Sequence, residues 1–129
     1  MTRGNQAAQS LPSRWQSCRE LGTSDLGRVA EQLAVVLLAR HGVSVISRNV
    51  MVGRGEIDIL AVIGGMRLVV EVRSVRQGQE LVDPLGAFGQ TKSRQVRYLA
   101  GRLGAGRVDL ITVSFSPGGV DLHWLPWAA

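Results

Sequence analysis

Gly55-Glu56-Ile57-Asp58-Ile59-Leu60-Ala61-Val62-Ile63-Gly64-Gly65-Met66-Arg67-Leu68-Val69-Val70-Glu71-Val72-Arg73 is the stretch whose reading decides the fold. Apolar, largely β-branched residues lie on both sides of Gly64-Gly65, and a glycine pair between two such runs signals a two-residue hairpin loop. With that loop Ile63 pairs with Met66, and counting outward sets Asp58 across from Glu71, their Cβ atoms roughly 5 Å apart on one face. Two carboxylates that close repel one another, and the strands place no cation between them. A hard divalent metal is the natural relief. Leu60, Val62 and Val69 share that face, so the acids sit at the margin of a core. The plainer alternative is a solvated strand face, and a slip of one residue in the loop would send Asp58 and Glu71 to opposite sides.

Working outward toward the N-terminus, Leu26, Val29, Ala30, Leu33, Ala34 and Leu37 recur at the spacing of one helical face. They predict a helix capped by Thr23 or Ser24 and ended by Gly42. Glu31 falls roughly 120° round from the centre of that stripe, at about 100° per residue, and taken alone reads as a solvated glutamate on the rim. Residues 43–49 read as a first strand, Gly53 and Gly55 flank a turn, and the hairpin strands run over 55–63 and 66–73. Beyond them, 77–89 is rich in Gly, Pro and polar groups and reads as a loop. A second helix is expected over 91–103, with Val96, Leu99, Ala100 and Leu103 inward and Lys92, Arg94, Gln95 and Arg97 outward. Strands over 108–115 and 120–125 follow, joined by a turn at Ser116-Pro117-Gly118-Gly119. The order α-β-β-β-α-β-β makes an α/β sandwich around a mixed central sheet flanked by helices.

The chain has 129 residues, 45% apolar, 19% charged and 5% aromatic, which suits one globular domain over 23–129. Residues 1–22 lack a sustained apolar period and read as a flexible arm. Cys18 is the single cysteine, which rules out an internal disulfide and a Cys/His zinc cluster. His41 and His123 stand apart and carry no assigned role. No apolar run of about 18 residues suggests a membrane span, and the polar start lacks a signal-peptide core, so a cytoplasmic protein is expected. The net charge is +5, carried by fourteen arginines and the single lysine, Lys92. Such an excess suits an anionic partner, with arginine matched to phosphate through its planar fork. It is equally what the base composition of a genome imposes on a merely soluble protein.

The series Gly27 to Ala34 (GRVAEQLA), Arg48-Asn49, Gly55 to Leu60 (GEIDIL), Val70 to Arg73 (VEVR), Lys92 and Arg107-Val108-Asp109 resembles the YraN-like (UPF0102-type) family of small bacterial proteins. That family is similar in turn to the restriction-endonuclease-like PD-(D/E)XK superfamily and its Holliday junction resolvases. The resemblance implies a restriction-endonuclease-like sandwich in which Asp58 and Glu71, with the backbone carbonyl of Val72, bind Mg²⁺ or Mn²⁺. Glu31 matches a helix acid that approaches the metal. It also implies DNA as the foremost partner, with Lys92, Arg94, Arg97 and Arg76 as phosphate contacts. Arg73 departs from the pattern, standing where the family motif has lysine. Arginine is bulkier and stays protonated, so the swap is not conservative. The hairpin register also offers it Glu56 as a cross-strand partner.

Three functions therefore stand at this point: a metal-dependent DNA endonuclease using Asp58, Glu71, Arg73 and Glu31; a nucleic-acid-binding module that has lost turnover; and a protein-interaction role. The third would use Trp124, Pro126 and Trp127 as anchors, unless these simply pack the terminus on the core. A homodimer is compatible with each.

Overall fold

A glycine pair at positive φ, Gly64 at 55° and Gly65 at 79°, closes the hairpin and brings Ile63 opposite Met66. Two consecutive residues in that region are what a type I′ turn needs, and its twist matches the strands it joins. The computed structural model describes residues 23–76 and 89–129. The expected arm over 1–22 and most of the expected loop over 77–89 lie outside them.

The described elements are α1 (Thr23–Arg40), β1 (Ser44–Val52), β2 (Gly55–Ile63), β3 (Met66–Arg76), α2 (Gly89–Arg102), β4 (Arg107–Ser116) and β5 (Gly119–Leu125). The order is the one expected. β1 and β3 each run three residues further than expected, and α2 begins two residues earlier. The five strands form one mixed sheet in the order β1-β2-β3-β4-β5. Neighbours are antiparallel except β3 and β4, which are parallel and joined through α2. Parallel strands cannot be joined by a tight turn, so a helix between them is the expected connection.

The helices cover opposite faces. Ala30, Ala34, Leu37 and Leu38 of α1 pack on Ile59, Ala61, Leu68, Val70, Ile111 and Val113. Val96, Leu99 and Ala100 of α2 pack on Ile57, Leu60, Val69, Val108 and Leu110. The alternation of Leu68 and Val70 with Val69 follows from the two-residue period of a strand. Because β3 is central and covered on both sides, Leu68, Val69 and Val70 are all fully buried. Gly55 is where α2 comes closest to β2: a Cβ there would lie 2.6 Å from Leu99 Cδ1 and 3.0 Å from Cδ2. The far end of α2 is held by Arg67, whose Nη1 donates to the Leu103 carbonyl at 2.9 Å, giving a partner to one of the carbonyls a helix end leaves unpaired. Among the described residues no helix is long and apolar enough to cross a membrane.

Candidate functional site

The β2–β3 ladder runs outward from the turn and ends at Ile59 opposite Val70. Asp58 and Glu71 are the next positions in that register, so the expected juxtaposition holds while the expected ladder pair does not form. The expected ladder pair of Glu56 with Arg73 does not form either. Along its other edge β3 stays paired with β4 from Leu68 to Arg76, with Glu71 opposite Leu110 and Arg73 opposite Thr112. On its β2 side the chain parts from the hairpin, and the Val72 N–H donates to Asp58 Oδ2 at 2.9 Å instead of to a strand carbonyl. On the other flank of β2, Arg48 pairs with Ile59 and Val50 with Ile57, while Asn49 between them adopts φ 53°. Asp58 thus interrupts both ladders of its strand.

Glu71 is 5% exposed, and its Oε1 finds no hydrogen-bond partner among the described residues. Burial pushes its carboxyl up to about 9, the Asp58 carboxyl facing it adds to the rise, and Lys92 and Arg73 pull the other way. Native proteins seldom leave a buried carboxylate oxygen unsatisfied, and such an atom calls for an explanation. Glu31, on α1, is likewise held above the usual carboxylate range, by burial first and by Asp58 second, with Glu56 adding to the rise. Arg48 opposes this from 3.9 Å away, and the Asn49 side chain hydrogen-bonds Glu31. Arg48 also donates to Gln32 Oε1 at 2.9 Å, so α1 is tied to β1 beside the acids.

The oxygen donors fit a small hard cation better than any softer metal. The fit is that of a pair with a third acid in attendance. Among the described residues no three Asp, Glu, His or Cys side chains converge as a ready-made cage. A site of one or two carboxylates completed by water is what Mg²⁺ ordinarily uses.

The basic residues divide. Lys92 is half-buried near the start of α2 and acts electrostatically on Glu71, as does the exposed Arg73. Arg94 and Arg97 are exposed on the solvent side of α2. Arg76 ends β3 opposite Phe115, and its side chain falls outside the described residues.

Two residues of this region carry no role in the sequence reading. Asn49 is one: its signal was an asparagine, poor in strands and tolerant of left-handed backbone, inside a run of β-formers. Asp109 is the other. Fully buried, it accepts from Arg107 Nε and Nη2, each at 2.9 Å, from Trp124 Nε1 at 2.8 Å and from the Trp127 N–H at 2.9 Å. Trp124 is therefore core, packed edge-on against His41, and cannot anchor a partner. Trp127 stays 60% exposed, with the Arg107 guanidinium 5.1 Å from its ring centroid.

A sequence model of the uncharacterised protein family UPF0102 matches residues 30–113. A UPF0102 protein of Clavibacter michiganensis subsp. michiganensis is 34% identical over 103 residues, covering 74% of this chain and 86% of its own. One from Thermotoga neapolitana is 37% identical over 101 residues, covering 73% of this chain and 90% of its own. Among solved structures, SfsA of Pyrococcus furiosus in complex with Ca²⁺ aligns with 81% of the chain at a TM-score of 0.36 and 14% identity, and the chain spans 63% of that protein's length.

Proposed function

The chain belongs to the uncharacterised protein family UPF0102, and from that premise we propose that it is a restriction-endonuclease-like protein that binds DNA and cleaves phosphodiester bonds with a divalent cation at Asp58 and Glu71. The observation that carries this is Glu71 Oε1, buried without a partner beside a second carboxyl. Two acids on adjacent strands, approached by a third from α1, are also what the restriction-endonuclease-like pattern asks of the order α-β-β-β-α-β-β.

Asp58 and Glu71 supply the charge that draws the cation in. In a strand, a residue's N–H and C=O point to the same side. With its N–H on Asp58, Val72 therefore turns its carbonyl toward the same gap, as a third oxygen donor. Glu31 orients water at the outer edge of the site. Held by these residues, Mg²⁺ or Mn²⁺ would supply Lewis-acid chemistry, polarising a phosphate oxygen and lowering the pKa of a water. Lys92 and Arg73 bring positive charge to the phosphate. Arg73 keeps its proton, so its part is to stabilise developing negative charge and not to accept a proton. Arg94, Arg97 and Arg76 extend the phosphate contacts along the nucleic acid.

Calorimetric titration of Mg²⁺ and Mn²⁺ into the wild type and Asp58→Ala tests the site directly: heat of binding is expected from the first and none from the second. Cleavage of branched, single-stranded and duplex DNA should then require the cation. Silence of the wild type in both assays overturns the proposal. A second reading rests on Arg73, exposed at the position where the motif has lysine: a DNA-binding module without turnover. It prevails if the wild type binds DNA with a steep dependence on salt, cleaves nothing, and gains cleavage on Arg73→Lys.

A further inference from the structure

The face that α2 turns to solvent carries an aromatic ring between two arginines. Arg94, Tyr98 and Arg102 follow one another at four-residue steps, which places them on one stripe of the helix, and all three are exposed. At 1.5 Å per residue the stripe spans roughly 12 Å. Tyr98 is 63% exposed, while the opposite side of the helix buries Val96, Leu99 and Ala100. The ring takes no part in the core. Arg102 holds it in place, with its guanidinium carbon 6.0 Å from the ring centroid and its Nη1 donating to the Tyr98 hydroxyl at 3.3 Å. Toward the other end of the helix, Lys92 acts on Glu71. Lys92 is on the sheet side of the helix, and the stripe is on the side turned away from it.

We propose that this stripe is a track for unpaired nucleic acid, in which Tyr98 stacks on an exposed base while Arg94 and Arg102 hold phosphates on either side. The inference rests on the reading that the carboxyl pair acts on nucleic acid, and narrows it to substrates with a single-stranded segment. A helix that tracked a duplex backbone could use the tyrosine hydroxyl on a phosphate, but would gain nothing from the ring face, because base faces inside a duplex are covered by their neighbours. An aromatic ring adds stacking only where a base is unstacked. Guanidinium groups beside it supply phosphate contacts that do not read sequence.

Fluorescence anisotropy of the full chain at low salt, with EDTA to prevent cleavage, separates the outcomes. The probes are a labelled DNA strand of about 15 nucleotides, its duplex, and a strand of equal length made of abasic sugar-phosphates. The wild type is expected to bind the base-bearing strand most tightly. Tyr98→Ala should weaken that binding by about 5- to 100-fold, the range for loss of a stacked base, and leave the duplex and abasic strands unchanged. Tyr98→Trp should restore it. Because the ring is outside the core, the variants should melt like the wild type. If Tyr98→Ala has no effect, or weakens all three probes alike, the stacking role is overturned and the nucleic-acid reading survives. If the wild type binds none of the probes, both are overturned.

Discussion

Glu71 occupies a position that its neighbours Val69 and Val70 would lead one to expect to be apolar, at the point where a central strand loses its ladder with β2 while keeping the one with β4. Its proton is held to about pH 9 in the folded chain against 4.5 for the ordinary group. Over that interval folding takes up a proton, so the contribution of Glu71 to stability is full below the lower value and falls as pH rises toward the upper one. In the proposed function a divalent cation takes the place of the proton. Mg²⁺ or Mn²⁺ is therefore expected to raise the melting temperature more at about pH 8 than at about pH 5, and Glu71→Gln to remove both the alkaline loss and the metal effect. Thermal melts across pH with and without the cation check this; a metal shift that is equal at the two pH values contradicts it. Proximity of Asp58 and Glu71 was legible in the sequence because Gly64-Gly65 sets the register and the acids lie at equal distances from the turn. The burial of Glu71 was not, because it depends on how the elements distant in sequence pack around it. The left-handed backbone at Asn49 was hidden for a related reason: an asparagine in a strand permits that conformation without demanding it.

At the scale of elements, the contact that seats α2 is the missing side chain of Gly55. Its Cα lies so near Leu99 that an added methyl would meet the isobutyl group at three atoms, all within 3.3 Å, and Leu99 is 6% exposed with little room to retreat. Gly55→Ala should lower stability by about 1–3 kcal/mol, the usual consequence of overpacking. Since α2 also carries Lys92, it should weaken metal-dependent activity as well. Denaturant unfolding reads the first effect; an unchanged midpoint would mean that Leu99 repacks freely. The helices were legible from their apolar period; which face of the sheet each covers was not, because the run Leu68-Val69-Val70 is apolar on both sides. What the pattern could not tell was where the β2–β3 ladder stops. On the β2 side the Asp58 side chain takes the Val72 N–H in place of a strand carbonyl, and hydrophobic alternation gives no sign of such a substitution.

For the molecule as a whole, Asp109 ties the C-terminal segment to the sheet. Four hydrogen bonds converge on a carboxylate with no exposure to solvent. Asp109→Ala would leave the Arg107 guanidinium, 11% exposed, without its counter-charge. The expected loss is about 3–5 kcal/mol, as for other buried pairs broken on one side. A melt within a degree or so of the wild type would show that solvent reaches the cavity. The overall architecture followed from the order of elements because β3 and β4 flank a helix and so must run parallel. That crossover has a temporal consequence. The meander of β1, β2 and β3 closes through tight local turns, whereas β4 must find β3 across partners as distant as Leu68 and Arg107. Distant pairings carry the larger loop-closure entropy and are slow to form. During refolding the meander should gain amide protection first, with Glu71 entering its final surroundings only when β4 arrives. Pulse-labelled hydrogen exchange would reveal the sequence of events: the surroundings of the carboxyl pair are the last thing this chain learns to make.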